Sequence, residues 1–279
     1  MIAALKSEYR KLFSTRMWWV LLLCAAGYLA LMGAGIGALV GGFMGEADGA
    51  GPGADADGET GALGPGGLNV ALMVYSMAGS LAYVFPLLLG ALSITQEYRH
   101  KTITQTFLGE PRRLVVLAAK LIASVALGLV SGLVCVAATA GPGGLAMSLV
   151  GADPGFSDSD TWIFFARALL DFTLWAVVGV ALGTLLTNQV AMIVVVLAVT
   201  QFVEPLLRTL PDILQEEWSW PKYLPGAAGD AVQGDTFYAV MSGGDSGLLP
   251  FGWAVVVLLA WALGLAAIGY LVKFRRDVS

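Results

Sequence analysis

Six long runs of apolar residues limit what this chain can fold into. Each run is about 20 residues or longer, the length at which a helix crosses a hydrocarbon layer ~30 Å thick. Charged residues make up 13% of the sequence, against roughly a quarter in soluble proteins. We therefore predict an all-α, polytopic membrane protein. Its six spans are expected at about 17–40, 69–94, 114–140, 162–186, 190–210 and 248–272.

The residues before the first span are predicted to form a helix of their own. Apolar residues recur there at helical spacing, and half of the other positions are charged. The apolar residues are Ile2, Leu5, Tyr9, Leu12 and Phe13. Such an amphipathic helix is typical of one that lies in the lipid headgroup layer. We therefore divide the chain into an interfacial helix, 1–16, and a six-span domain, 17–279, and expect membrane lipids as partners.

The lysines and arginines are distributed unevenly along the chain. Twelve of the 15 fall in the segment before the first span, in the stretch from Arg99 to Lys120, and in the tail after the last span. The loops at the other ends of the spans carry most of the acids and only Lys222 as a clear base. Because Lys and Arg are retained on the cytoplasmic side of a membrane, we expect both termini and the loop at 95–113 to be cytoplasmic.

Three pairs of glycines stand four residues apart within predicted spans. They are Gly33/Gly37, Gly128/Gly132 and Gly179/Gly183. This small-xxx-small spacing favours the close approach of two helices in a membrane. It predicts tight packing of the first, third and fourth spans, either within the chain or across a dimer.

The chain lacks the common signatures of nucleotide binding and hydrolysis. None of its lysines follows a glycine, so it has no P-loop. His100 is the only histidine, which leaves little from which to build a zinc site or a Ser–His triad. Cys24 and Cys135 lie inside apolar runs and are expected to be small buried residues. We predict no enzymatic activity, no metal or cofactor bound by this chain, and no nucleic acid as a partner.

Ionisable residues within the predicted spans are the candidates for function inside the membrane. Asp171 lies near the middle of the fourth span, where an unpaired carboxylate is costly. Arg167 precedes it by four residues on the same helical face, so the two can pair. Glu204 and Arg208 repeat this spacing in the fifth span. These residues either line a substrate route or couple protons, or they form ion pairs that hold neighbouring helices together.

The stretch from Ile94 to Lys120 is the longest charged interruption between two apolar runs. Residues 97–102 are predicted to form a short amphipathic helix along the membrane surface. We expect Glu97, His100 and Lys101 to face the cytosol. Ile94, Tyr98 and Ile103 are expected to face the core. Arg112 and Arg113 follow at the lipid headgroups, where the third span begins.

The run ITQEYRHKTITQTFLGEPRR resembles the first cytoplasmic loop of bacterial type-2 ATP-binding-cassette (ABC) permeases. The composition, rich in Ala, Gly and Asp, is closest to the actinobacterial style. The amphipathic first helix, the six spans and the Leu224-Pro-Gly-Ala-Ala stretch agree with the family. Many members have a glycine immediately before the threonine of this loop, where this chain has Lys101.

The resemblance implies that this loop forms a coupling helix that docks on an ATPase subunit. Matched to the motif, the docking role falls on Glu97, Tyr98, Arg99 and Thr102, and also on Arg112 and Arg113. In the family, the outer segment before the last span forms short re-entrant helices. Five aromatic residues agree with that expectation here: Trp218, Trp220, Tyr223, Phe237 and Tyr238.

By this resemblance the chain is the permease subunit of an ATP-driven exporter in the bacterial inner (plasma) membrane. It would dimerise with a second copy or a homologue and bind two copies of a cytoplasmic ABC ATPase. ATP and Mg would be bound by that partner. An apolar interior suits an amphipathic or hydrophobic substrate.

Three alternatives remain open from the sequence. One is an ion-coupled secondary transporter that uses Asp171 and Glu204. Another is a polytopic membrane enzyme, for which Glu216-Glu217 resembles the glutamate pair of intramembrane prenyl-protein proteases. Those enzymes also use downstream histidines, which this chain lacks. The third is a membrane subunit that senses or scaffolds without transporting.

Overall fold

The computed structural model describes residues 2–48, 63–64, 68–214, 218–234 and 248–274. Within these ranges, six helices are long and apolar enough to cross a membrane. They are Met17–Gly42, Ala71–Arg99, Arg113–Leu149, Ser159–Leu185, Gln189–Pro211 and Phe251–Lys273. The fold is thus that of a multi-pass helical membrane protein, which confirms the coarse prediction from the apolar runs.

Within the described ranges the chain forms eleven α-helices. In chain order they are α1 Ile2–Ser14, α2 Met17–Asp48, α3 Val70–Ala82, α4 Val84–Arg99, α5 Ile103–Gly109, α6 Arg113–Leu149, α7 Ser159–Leu185, α8 Gln189–Ala198, α9 Glu204–Leu214, α10 Pro225–Gln233 and α11 Phe251–Gly269. Two π-helical segments, Val199–Val203 and Tyr270–Phe274, continue α8 and α11. A 3₁₀ turn, Pro221–Tyr223, precedes α10, and the two-residue strands Leu63–Gly64 and Leu68–Asn69 pair antiparallel before α3.

Helix α7 is the centre of the bundle. Of the residues in its most apolar stretch, 72% are buried, against 22% in each of the spans Gln189–Pro211 and Phe251–Lys273. It packs against α4, α6, α10 and α11. A large part of the surface of the other spans is apolar and exposed, as expected for helices in contact with lipid. Cys24 belongs to that exposed surface, so its predicted burial is wrong, whereas Cys135 is buried.

The glycine pairs pack within the chain. A Cβ on Gly179 would lie 2.1 Å from the carbonyl oxygen of Leu87 in α4, and one on Gly90 would lie 2.1 Å from that of Ala176 in α7. Similar backbone contacts, at 2.7 Å, join Gly33 and Gly37 of α2 to α6. Because no larger residue fits at these distances, glycine sets the helix separation. The predicted tight packing is therefore confirmed.

The predicted end of the third span, at residue 140, is wrong in an informative way. The Gly/Pro-rich sequence after residue 140 does not begin a loop, because α6 continues through Pro142 to Leu149. Gly143 is used for packing, since its carbonyl oxygen lies 2.7 Å from where a Cβ on Gly37 would be. The second span is interrupted between Ala82 and Val84, three residues before Pro86, because proline cannot donate the helical hydrogen bond to the preceding turn.

Candidate functional site

Four charged residues meet at the end of the bundle that carries α1. We call this group the junction cluster: Glu8 and Lys11 of α1, Glu97 of α4 and Lys120 of α6. Glu8 places one carboxylate oxygen 2.8 Å from Lys11 Nζ and the other 2.7 Å from Lys120 Nζ. Glu97 Oε1 lies 3.0 Å from Lys11 Nζ and 2.9 Å from Lys120 Nζ. Each acid therefore contacts both bases, and three helices are joined.

Three of the four residues of the junction cluster are buried, Lys11 is partly exposed, and the charges of the cluster balance. The side chain of Lys120 is 2% exposed and that of Glu8 is 6% exposed. Burial raises the pKa of Glu8, but the ammonium groups of Lys120 and Lys11 more than offset this effect, and the pKa is lowered overall. Burial lowers the pKa of Lys11, but its bonds to Glu8 and Glu97 prevail and raise it. Both residues are thus held in their charged forms by their partners.

The prediction for residues 97–102 is wrong in its details. Helix α4 continues to Arg99, so Glu97 lies on the buried face and is 7% exposed, whereas the sequence predicted that it faces the cytosol. Tyr98 packs beside Ile94 against Leu117, on the predicted core side. Arg99 donates a hydrogen bond of 2.9 Å to Gln189 at the start of α8.

A separate short helix follows α4 at this end of the bundle. It is α5, Ile103–Gly109, with Thr102 at its N-cap position. Lys11 donates a hydrogen bond of 2.9 Å to Thr106 Oγ1, which connects α5 to the junction cluster. Leu108 is 81% exposed, a large apolar side chain with no cover in the described part of the chain.

The two arginines that follow α5 have different environments. Arg112 is exposed, and its backbone N–H donates to Glu110 Oε1. The guanidinium of Arg113 lies 5.1 Å from the ring centre of Phe107 and forms a cation–π contact. Arg113 therefore stabilises the turn between α5 and α6, while Arg112 is open to a partner or to lipid headgroups.

A second charged group, the α10 cluster, lies between the fifth span and the segment before α11. It consists of Glu204, Arg208 and Asp230. Arg208 contacts Glu204 Oε1 at 3.2 Å and also pairs with Asp230 of α10. The predicted pairing of Glu204 with Arg208 is therefore present. Asp230 was not predicted as a partner, because nothing in the sequence brings it close to the fifth span.

Glu204 also caps helix α10. Its Oε1 accepts hydrogen bonds from the backbone N–H groups of Gly226 and Ala227, in the first turn of that helix. A carboxylate at this position satisfies free N–H groups and complements the helix dipole. A Cβ on Gly226 would lie 2.6 Å from Glu204 Oε1, so glycine permits the contact. The Leu224-Pro-Gly-Ala-Ala stretch is thus the start of a short helix buried along its length.

The predicted pairing of Arg167 with Asp171 is absent, although both residues lie in the described part of α7. Asp171, fully buried, accepts a hydrogen bond of 2.7 Å from Gln233 at the end of α10. The guanidinium of Arg167 lies 5.2 Å from the ring centre of Phe251, and its Nη1 would be 2.8 Å from a Cβ on Gly234. A cation there complements the C-terminal end of α10. The ionisable residues of α7 and of the fifth span therefore hold α10 in place.

In the described ranges, no group of three or more His, Cys, Asp and Glu residues could hold a metal ion. Glu216, Glu217, Phe237 and Tyr238 lie outside the described residues. No protein-family model matches this chain, and no curated protein matches it.

Proposed function

We propose that this chain is the permease subunit of an ATP-driven ABC exporter, coupled to a separate cytoplasmic ATPase. It would lie in a bacterial inner membrane with both termini in the cytoplasm and work as a dimer. The nucleotide and its magnesium ion would be bound by the partner. The six apolar helices support a membrane role, and the absence of a P-loop from the sequence agrees with an ATPase on another chain.

The observation that carries the proposal is the environment of α5. This helix presents an exposed leucine, Leu108, beside the exposed Arg112. Behind it, Lys11 joins Thr106 to a buried set of ion pairs that also holds α1, α4 and α6. A displacement of α5 would therefore be transmitted to α1, α4 and α6 together. A helix that couples a cytoplasmic ATPase to membrane spans requires such contacts with several helices.

The structure changes the expected roles of individual residues within this proposal. Leu108, Thr102 and Arg112 would contact the ATPase, because they are exposed. Glu97 is buried and would transmit the movement through Lys11 and Lys120. Tyr98 and Arg99 would hold the end of α4 against its neighbours.

The proposal predicts a stand-alone ABC ATPase encoded beside the gene of this chain, and the test is co-purification of the two proteins. We expect a stable, ATP-hydrolysing complex with the wild type and at least a tenfold loss of ATPase recovery with Leu108→Glu. Leu149→Glu is the matched control, because Leu149 is similarly exposed, at 79%, at the far end of α6. A chain that is stable alone and captures no ATPase would contradict the proposal, as would equal loss in both variants.

The second candidate is an ion-coupled secondary transporter. A buried carboxylate oxygen favours it, because Glu204 Oε2 has no hydrogen-bond partner among the described residues. This candidate predicts substrate movement in liposomes that contain this chain alone and are driven by a proton gradient. The permease proposal predicts movement only with the ATPase and ATP.

A further inference from the structure

The face of α1 that points away from the bundle is basic. Successive residues of a helix are turned by about 100°, so Lys6 and Arg10 lie on the side of α1 opposite the buried Glu8. Both are exposed, and among the described residues neither has an ion pair or a hydrogen bond. Glu8 is the one acidic residue of α1, and the junction cluster holds it. The outer face of α1 therefore carries two positive charges with no counter-charge on the helix.

A shallow groove of about 390 Å³ runs along this face. We call it the α1 groove, and two rows of polar residues line it: Lys6, Arg10 and Ser14 in one row, Ser7 and Lys11 in the other. Residues four apart form such rows on the surface of a helix. Cationic side chains and hydroxyls are hydrogen-bond donors, and donors that carry a charge bind phosphate oxygens most strongly. The residue types of the groove therefore suit a phosphate group.

Lys11 lines the groove but has no donor left for a ligand. An ammonium group has three N–H donors, and those of Lys11 are used by the two acids of the junction cluster and by Thr106. A ligand could bind this ammonium group only by breaking the junction cluster. Lys6 and Arg10 are therefore the cationic donors of the α1 groove.

The position of α1 places the groove at the level of the lipid headgroups. Glu8 contacts Lys120, which lies seven residues, or about 10 Å, along α6 from its first residue, Arg113. Helix α1 thus packs against the side of the bundle and not across its end. It ends at Ser14, and the first span begins at Met17. The outer face of α1 is therefore turned toward the headgroups around the bundle.

The first span provides apolar surface close to the end of α1. Trp19, Val20 and Leu23 are exposed in the first two turns of α2. The acyl chains of a lipid bound at the groove would lie against this surface, whereas a soluble phosphate has no acyl chains to place there. The basic groove and the neighbouring apolar surface together indicate a phospholipid.

We propose that the α1 groove binds the phosphate of an anionic phospholipid, with Lys6 and Arg10 as its cationic contacts and Ser7 and Ser14 as further donors. A zwitterionic lipid binds more weakly, because it brings a positive charge of its own into the groove. The chain as a whole has a net charge of −5, so the attraction is local to α1. The site is separate from the surface of α5, and it does not rest on the proposed coupling to an ATPase.

Native mass spectrometry of the full chain in neutral detergent tests the proposal. The probes are phosphatidylglycerol and phosphatidylcholine with the same acyl chains. We expect the wild type to bind phosphatidylglycerol about 30-fold more tightly, the effect of two basic residues on an anionic lipid. Lys6→Gln/Arg10→Gln should bind the two lipids equally. Soluble glycerol phosphate at the same concentration as phosphatidylglycerol should not displace it, because the acyl chains are missing.

A matched control removes the same charge from another part of the same end of the bundle. Lys101→Gln/Arg112→Gln changes two exposed bases on either side of α5 and should keep the wild-type preference. Thermal unfolding checks that each variant is folded, as expected for Lys6 and Arg10, which are exposed. Lys6→Gln alone should lose part of the preference, and it carries the test if the double variant is not folded.

Four results would overturn the proposal. The first two are a wild type that does not prefer phosphatidylglycerol and a preference that persists in Lys6→Gln/Arg10→Gln. The third is an equal loss in the control, which would assign the preference to overall charge. The fourth is displacement by glycerol phosphate, which would assign the groove to a soluble anion. The experiment contains no ATPase, so its failure and the failure of the ATPase complex are distinguishable.

Discussion

Lys101 adopts a backbone conformation that residues other than glycine rarely adopt. Its φ is 57°, the left-handed conformation that glycine adopts most easily. The tight turn between α4 and α5 therefore requires the conformation, and this chain forms it with lysine at some cost.

We expect Lys101→Gly to be tolerated and Lys101→Val to be harmful. Glycine relieves the strain but gives the unfolded chain more freedom, so the free energy of unfolding should change by less than about 1 kcal/mol. A β-branched residue is a strong outlier at this angle, and Lys101→Val should cost about 1–2 kcal/mol. Thermal unfolding in detergent measures both. Similar losses of stability in the two variants would show that the lysine side chain, and not the backbone φ angle, determines stability at this position.

The junction cluster makes Lys120 sensitive to substitution by an uncharged residue. Lys120→Met leaves Glu8 and Glu97 to share Lys11, with one uncompensated buried charge. Breaking a buried pair in this way costs about 3–5 kcal/mol. Adding Glu8→Gln restores the charge balance, so the double variant should be more stable than Lys120→Met alone. A double-mutant cycle by thermal unfolding measures the coupling, and Lys6→Met, at an exposed position of α1, is the control.

Strictly additive losses in that cycle would mean that Glu8 and Lys120 do not depend on each other. The loss should also reduce activity in the reconstituted complex if the junction cluster transmits movement from α5.

The lowered pKa of Glu8 predicts a loss of stability in acid. Its pKa in the unfolded chain is near 4.5, and the folded value lies below that. The stabilisation is therefore complete above about pH 4.5 and is lost as the pH falls through the folded value. We expect Glu8→Gln to be less stable than the wild type at neutral pH and to lose this difference in acid. Glu110→Gln, outside the cluster, is the comparison, and parallel pH curves for the wild type and Glu8→Gln would contradict the assignment.

At the scale of elements, the spans could be predicted from sequence, but their ends and partners could not. The length of the apolar runs alone locates six membrane helices, because the thickness of the hydrocarbon layer sets that length. Residues 141–149 contain glycine and proline, typical of a loop, yet contacts of Gly143 with α2 keep them helical. The spacing of Arg167 and Asp171 predicts a pair, yet Gln233 and Phe251, distant in sequence, provide better partners. Only tertiary structure brings α10 to these residues.

The contact between α4 and α7 is close enough that added side-chain volume should disturb it. A Cβ on Gly179 would lie 2.1 Å from Leu87 O, a backbone atom that cannot move without its helix. We expect Gly179→Ala to cost about 1–3 kcal/mol, the usual range for overpacking. Gly264→Ala in α11 is the matched control, because a Cβ there meets nothing within 4 Å. Thermal unfolding in detergent compares the two, and equal stability would show that the helices separate without cost.

At the scale of the whole molecule, the two ends of the bundle should lie on opposite sides of the membrane. One end carries α1, α5 and most of the basic residues, and the other carries the connection from α6 to α7. Helix α6 joins them and, with 37 residues, is about 55 Å long. Leu108 is exposed beside its start, and Ser157 is exposed in the connection after its end. Because basic residues are retained in the cytoplasm, Leu108 should face inward and Ser157 outward.

Single cysteines at these two positions test the orientation, in a background with Cys24→Ala and Cys135→Ala. A membrane-impermeant maleimide should label Ser157→Cys in intact cells and Leu108→Cys only after the cells are broken. The reverse pattern would place α5 outside, where no cytoplasmic ATPase could reach it, and the proposed coupling would fail with it. Labelling of both positions in intact cells would contradict the crossing of α6 itself. This orientation therefore determines whether α5 can meet an energy source at all.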